Sequence, residues 1–278
     1  MVNLGRFNQL TVVRQLPRGL QLDAGGDGEI LLPKQYIDDS MKVGSVVEVF
    51  IYRDSEDRLI ATTETPKAQV GEFAFLNVAD ESKHGAFLDW GLPKDLFVPF
   101  SEQNNRLEKG RQALVRVYVD DSGRIAASAK IDTFLYDEDE TDLYKAGDEI
   151  NITVAGQSDL GRKVIINNTH WGLVYHSDIF EPISRGDKLK AYIKRVREDK
   201  KIEVSLQKIG FAKVEGLAGV VLERLQNENG HIALSDKSNP EDIKRAFKCS
   251  KNAYKQAIGV LYKQRLIRIE KDGIYLNK

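Results

Sequence analysis

Cysteine is almost missing from this sequence. Cys249 stands alone, so no disulfide can close within the chain, and a stapled secreted scaffold is excluded. No apolar run approaches the roughly 20 residues of a membrane-spanning helix. Met1 leads straight into a strand-like pattern, without the apolar core of a signal peptide. These absences predict a cytoplasmic protein with no membrane contact. Histidine is scarce too: His84, His170, His176 and His231 share no zinc spacing with Cys249, and the gap between His170 and His176 fits no helical zinc motif. Ser128 and Ser205 end strands without a histidine partner in sequence. The cluster Asp23-Ala24-Gly25-Gly26-Asp27-Gly28 lacks the Lys-Ser/Thr ending of a phosphate-binding loop, and no helical pattern follows it. No metal, cofactor or catalytic site is expected, so the chain reads as a binding protein and not an enzyme.

Net charge is nearly absent as well, at −1, but it is unevenly spread. Residues 1–144 carry 16 Lys and Arg against 25 Asp and Glu, whereas residues 145–278 carry 25 against 17. A basic half beside an acidic half points to a polyanionic partner.

One pattern is present three times. Gly5, Gly71 and Gly147 lie 66 and then 76 residues apart, and the same offsets relate Val12, Val78 and Val154. They also relate Gly19, Gly85 and Gly161; Pro33, Pro99 and Tyr175; and Gly44, Gly110 and Gly186. Anchors that hold register over so long a stretch define an internal repeat. Each copy shows short strands separated by turns. In the second, Val115, Val117 and Val119 alternate with Arg116, Tyr118 and Asp120, the period of a half-buried strand. Five short strands in about 65 residues predict a small closed barrel, since closure removes the unpaired edges of an open sheet. A module of that size has a marginal core, so packing between neighbours is expected. The longer second offset comes from Ile131–Tyr144, which holds six acids and no Lys or Arg. It reads as a solvated spacer, and its expected lack of fixed structure argues against a nuclease metal site there.

Beyond about Lys213 the period becomes helical. Leu217, Val220, Val221, Leu222 and Leu225 form one stripe. Ser238-Asn239-Pro240-Glu241-Asp242 is a helix start, with a capping residue, a proline in the first turn and acids facing the helix dipole. Cys249-Ser250 opens a third helix whose apolar stripe is Tyr254, Ala257, Ile258 and Leu261. A β-hairpin, Leu266–Glu270 with Ile274–Leu276, ends the chain. Three helices and a terminal hairpin describe a basic winged helix.

With these residues in hand, the repeats resemble S1 RNA-binding domains, which are five-stranded OB-fold barrels. In the second repeat His84-Gly85-Ala86-Phe87-Leu88 resembles the family's aromatic-Gly-Ala-Phe-Val strand. Phe97-Val98-Pro99-Phe100-Ser101-Glu102 resembles its Leu-Val-His-Ile-Ser-Glu segment, and Asp120-Asp121-Ser122-Gly123-Arg124 its Asp-x-x-Gly-Arg hairpin. The whole order resembles the conserved virulence factor B family of bacterial RNA-binding regulators. The resemblance implies a multidomain, mainly β chain. Its domains are S1-like at 1–67, 68–131 and 145–210, with an acidic linker at 132–144 and a winged helix at 211–278. No repeat has the family's full set of binding residues: its histidine position is Pro33, Pro99 or Tyr175, and its strand phenylalanine survives only as Phe87, against Gln21 and Lys163.

Single-stranded nucleic acid is gripped by exposed rings and a basic groove. The expected RNA contacts are therefore His84, Phe87, Tyr118, Asp120 and Arg124 in the second repeat and Tyr175, Lys194, Arg195, Arg197 and Lys201 in the third. Lys248, Lys251 and Lys255 are added by the winged helix. The bland alternatives are rings packed between barrels and cations on a solvated face. Single-stranded RNA, such as mRNA, is the expected partner of a post-transcriptional regulator. DNA read by the winged helix, or proteins docked on degenerate barrels, are the alternatives.

Overall fold

The computed structural model describes residues 1–179, 182–206 and 212–277. The expected boundary at residues 210 and 211 lies outside the described residues. The first repeat is β1 (Phe7–Leu16), β2 (Gly19–Asp23), β3 (Glu29–Pro33), β4 (Val46–Arg53) and β5 (Leu59–Thr62). The second is β6 (Phe73–Glu81), β7 (Gly85–Asp89), β8 (Leu96–Pro99), β9 (Gln112–Val119) and β10 (Ile125–Ser128). The third is β11 (Glu149–Gln157), β12 (Gly161–Ile166), β13 (His170–Tyr175), β14 (Lys188–Val196) and β15 (Ile202–Ser205). Each set closes into a barrel in which the first strand lies between the second and fourth, and the fifth between the third and fourth.

The repeated anchors are the residues that close these barrels. Gly44 donates its N–H to the Val12 carbonyl at 2.8 Å, Gly110 to Val78 at 2.9 Å and Gly186 to Val154 at 2.8 Å. These glycines sit at φ between +80° and +92°, a region side chains disfavour. Immediately beyond each anchor valine the first strand bulges, between Val12 and Arg14, Val78 and Asp80, and Val154 and Gly156. A bulge bends the strand, which lets it pair on both sides of a small barrel. Two further anchors face each other in the first two barrels, Gly19 opposite Pro33 and Gly85 opposite Pro99.

Strand β4 shows how a marginal barrel completes its core. Val49, Phe50, Ile51 and Tyr52 are consecutive and all buried, so both faces of the strand are covered. Val49 and Ile51 fill the first barrel, while Phe50 and Tyr52 join the second barrel's cluster beside Trp90, Leu76 and Val115. Phe50 meets Trp90 edge-on at 5.8 Å between ring centroids. Strand β9 keeps the expected alternation through Val115 and Val117, but Val119 at its end is exposed, because the strand leaves the core at the hairpin.

The acidic stretch is not a free spacer. Ile131–Phe134 forms a single 3-10 turn, and Asp132 accepts from the Trp171 indole at 3.2 Å. Asp139 is fully buried, with its carboxylate accepting from the backbone N–H groups of Leu143 and Tyr144, each at 2.8 Å. Backbone donors satisfy that buried charge, which sequence composition alone read as solvated.

The C-terminal helices are α1 (Ala212–Asn227), α2 (Pro240–Phe247) and α3 (Lys251–Lys263). Asn239 caps α2 by accepting from Glu241 N–H, and Ser250 caps α3 by accepting from Ala253 N–H. Their core is Val221, Leu225, Ile243, Tyr254, Ile258 and Leu261. The terminal hairpin, β17 (Ile267–Ile269) and β18 (Ile274–Leu276), gains a third strand, β16 (His231–Ile232), at its edge. Among the described residues no helix is long and apolar enough to cross a membrane. The chain divides into two compact units: barrels one and two with part of the third, and the rest of the third with the winged helix.

Candidate nucleic-acid interface

On the second barrel, β7 and β8 are antiparallel with Phe87 directly opposite Phe97, so the two rings share a face. Their centroids are 5.2 Å apart at 45°. Both rings are half-buried, and His84, just before β7, is exposed. The parallel pairing of Ala126 with Phe97 brings the β9–β10 hairpin to the edge of this ring pair. There Asp120 accepts from the backbone N–H groups of Ser122 and Arg124 at 2.9 and 3.0 Å. Burial pushes the Asp120 carboxyl up, but these bonds and that from the Ser122 hydroxyl outweigh it and hold it below its ordinary value. Asp120 thus shapes the turn that presents Arg124. An open groove of about 950 Å³ results, lined by Phe87, Phe97, His84, Lys94 and Arg124, with the first barrel's β4–β5 tip as its far wall.

Tyr118 is not part of that lining. Its ring packs 6.4 Å from Phe134 of the turn that follows β10. The same position in the first barrel lacks rings: Gln21 replaces Phe87, and Arg58 is tied to its own Asp54 through Nε and Nη2 at 2.9 and 2.7 Å.

In the third barrel Tyr175 is half-buried and its hydroxyl donates to Glu203 at 3.3 Å. Arg195 forks onto the same carboxylate through Nε and Nη2, both at 2.8 Å. The Arg195 hydrogen bonds hold the Glu203 carboxyl below its ordinary 4.5. Its contribution to stability is complete above 4.5 and is lost as pH falls through the lowered value. We expect Glu203→Gln to cost about 1 kcal/mol at neutral pH, because Arg195 still reaches water. The gap between wild type and variant in denaturant unfolding should narrow as pH drops below 4.5; a gap independent of pH would refute it.

The basic stretch along β14 is largely neutralised by acids distant in sequence. Lys188 meets Glu72 at 3.5 Å, Lys190 meets Glu149 at 2.7 Å, Lys194 meets Asp178 at 2.8 Å and Lys200 meets Asp142 at 2.7 Å. Arg197 pairs with Asp199 at 3.1 Å, which leaves Lys201 as the cation of this stretch without an ion pair among the described residues. In the winged helix, Lys248 is exposed at the left-handed end of α2, Lys255 is exposed on α3, and Lys251 is half-buried in its first turn. The sequence reading missed Phe97, Lys94 and the β4–β5 tip. Counting residues across the β7–β8 hairpin would have placed Phe97 opposite Phe87, but nothing local announces the tip of another repeat.

Comparison with known proteins agrees with this architecture. Residues 4–64 and 70–130 match the S1 domain, and residues 219–276 match the CvfB-like winged helix domain. The chain is 28% identical over 282 residues to the uncharacterized protein YitL of Bacillus subtilis, covering 99% of this chain and 94% of that one. It is 25% identical over 249 residues to conserved virulence factor B of Staphylococcus epidermidis, covering 87% of this chain and 83% of that one. A crystal structure of a multidomain protein with nucleic acid binding domains from Streptococcus pneumoniae is 26% identical with a TM-score of 0.41, over 99% of this chain and 98% of that one. The S1 domains support a nucleic-acid-binding role.

Proposed function

We propose, on the premise that this chain belongs to the conserved virulence factor B family of S1 and winged-helix proteins, that it binds single-stranded RNA as a post-transcriptional regulator. The ring pair Phe87–Phe97, open to an about 950 Å³ groove with His84 beside it, carries this reading. Every base has a π-face, so such a platform takes single strands with little regard to sequence. Duplex DNA keeps its bases stacked away from a platform of this kind. Affinity for single-stranded RNA should therefore exceed that for duplex DNA. It should also fall as salt rises, because cations that hold phosphates release counterions on binding. Measuring both at two salt concentrations tests this. Tight, salt-insensitive binding to one duplex site would replace it with a DNA-reading winged helix.

The winged helix adds phosphate binding in this scheme. Lys248 and Lys255 are exposed, and lysine is a flexible point charge better suited to phosphates than to paired recognition of a base edge. Replacing Lys248, Lys251 and Lys255 by Gln should weaken all RNAs alike and flatten the log–log salt slope by roughly 0.7 for each phosphate no longer held. Unchanged affinity and slope would favour a second reading, a protein-docking adaptor. That reading draws on the ion pairs that already occupy most of the β14 cations.

A further inference from the structure

The β4–β5 and β9–β10 hairpins, Asp54-Ser55-Glu56-Asp57-Arg58 and Asp120-Asp121-Ser122-Gly123-Arg124, share an aspartate and an arginine four residues later, and differ in what their arginines hold. Arg58 pairs with its own Asp54. Arg124 instead reaches Asp57 on the first barrel's β4–β5 tip, with Nε and Nη2 both 2.8 Å from Oδ2. Asp57 cannot drift from this position, because its tip is fastened to the second barrel by two further bonds. Arg53 Nε donates to the Gly123 carbonyl at 3.0 Å, and Lys94 Nζ donates to the Asp54 carbonyl at 2.8 Å. Lys94 Nζ also lies 3.9 Å from the Asp57 carboxylate.

A carboxylate oxygen taking two N–H groups of a guanidinium does what a phosphate oxygen would do there. A phosphate approaching Arg124 must either displace Asp57 or sit against its negative charge. The rings of Phe87 and Phe97 are under no such restraint, since the groove beside them is open. We propose that Asp57 is the specificity-determining residue of the second barrel's site: it takes the Arg124 guanidinium, so the site accepts a nucleobase on its rings without holding a phosphate there. This rests on the reading of that face as an RNA site. It also assigns the first barrel, whose own face lacks rings, a part in the second barrel's selectivity.

The test is the salt dependence of binding by the full chain to a labelled single-stranded oligoribonucleotide of mixed sequence. Arg124→Gln should leave the log–log slope unchanged. Asp57→Asn should free Arg124 to hold one more phosphate, steepening the slope by about 0.7 and tightening binding severalfold at low salt. Asp57→Asn combined with Arg124→Gln should return the slope to that of wild type. The pair is exposed on both sides, so neither change threatens the fold. A slope flattened by Arg124→Gln would mean that Arg124 already holds a phosphate, and a slope unmoved by Asp57→Asn would mean that the carboxylate restrains nothing; either overturns the proposal. Phe87→Ala serves as the control for the underlying reading. If it leaves affinity intact, the second barrel is not the RNA site, whatever the salt slopes show.

Discussion

Phe87→Ala is expected to lower affinity for single-stranded RNA by about 1–3 kcal/mol, the usual worth of one base stacked on an aromatic ring. That is roughly 5- to 150-fold in Kd. The ring stands opposite Phe97 with centroids 5.2 Å apart, so removing it takes one wall of the platform and leaves the other unsupported. Because Phe87 is half-buried, the substitution should also cost some stability. Two companions separate these effects. Phe87→Leu keeps apolar packing but lacks the flat face, and should bind far more weakly while unfolding close to wild type. Phe87→Tyr keeps the face and should bind within a fewfold of wild type. Equal affinity in Phe87→Leu and wild type would make the ring a packing residue only.

Gly85→Ala is expected to destabilise the second barrel by about 2–4 kcal/mol, at the upper end for overpacking. A Cβ built on Gly85 would fall 2.2 Å from the Val98 carbonyl oxygen and 2.9 Å from the Phe97 ring. The first of these is backbone and cannot rotate away, so β7 and β8 must separate. Gly110→Ala is the matched comparison. Its φ is +80°, but nothing lies within 4 Å of the added carbon, so only left-handed strain of about 1–2 kcal/mol remains. Urea unfolding of both variants measures the difference; equal destabilisation would show that the close approach of β7 and β8 is not what Gly85 preserves. Since Phe97 belongs to both the clash and the platform, Gly85→Ala should also weaken RNA binding.

The sequence by itself determined the modules and their closure. Val12 with Gly44, and their counterparts, are legible at fixed offsets because a bulge and a left-handed turn need particular residues wherever they recur. The helix starts at Ser238-Asn239 and Cys249-Ser250 were legible for the same reason, since capping is a local hydrogen bond, and the structure makes Asn239 and Ser250 the caps. The strand alternation also placed Phe87 on an outward face. Only the tertiary structure decided what lies over each outward face. A period of two sorts side chains onto two faces, and whether an outer face meets solvent or a neighbouring element depends on residues far away in the chain. Thus Tyr118 packs toward Phe134 although alternation marked it as outward, and Lys188 is drawn to Glu72 of another repeat. Asp57 reaches Arg124 across 67 residues, a pairing encoded in neither hairpin, because it exists only where the two barrels are fastened together.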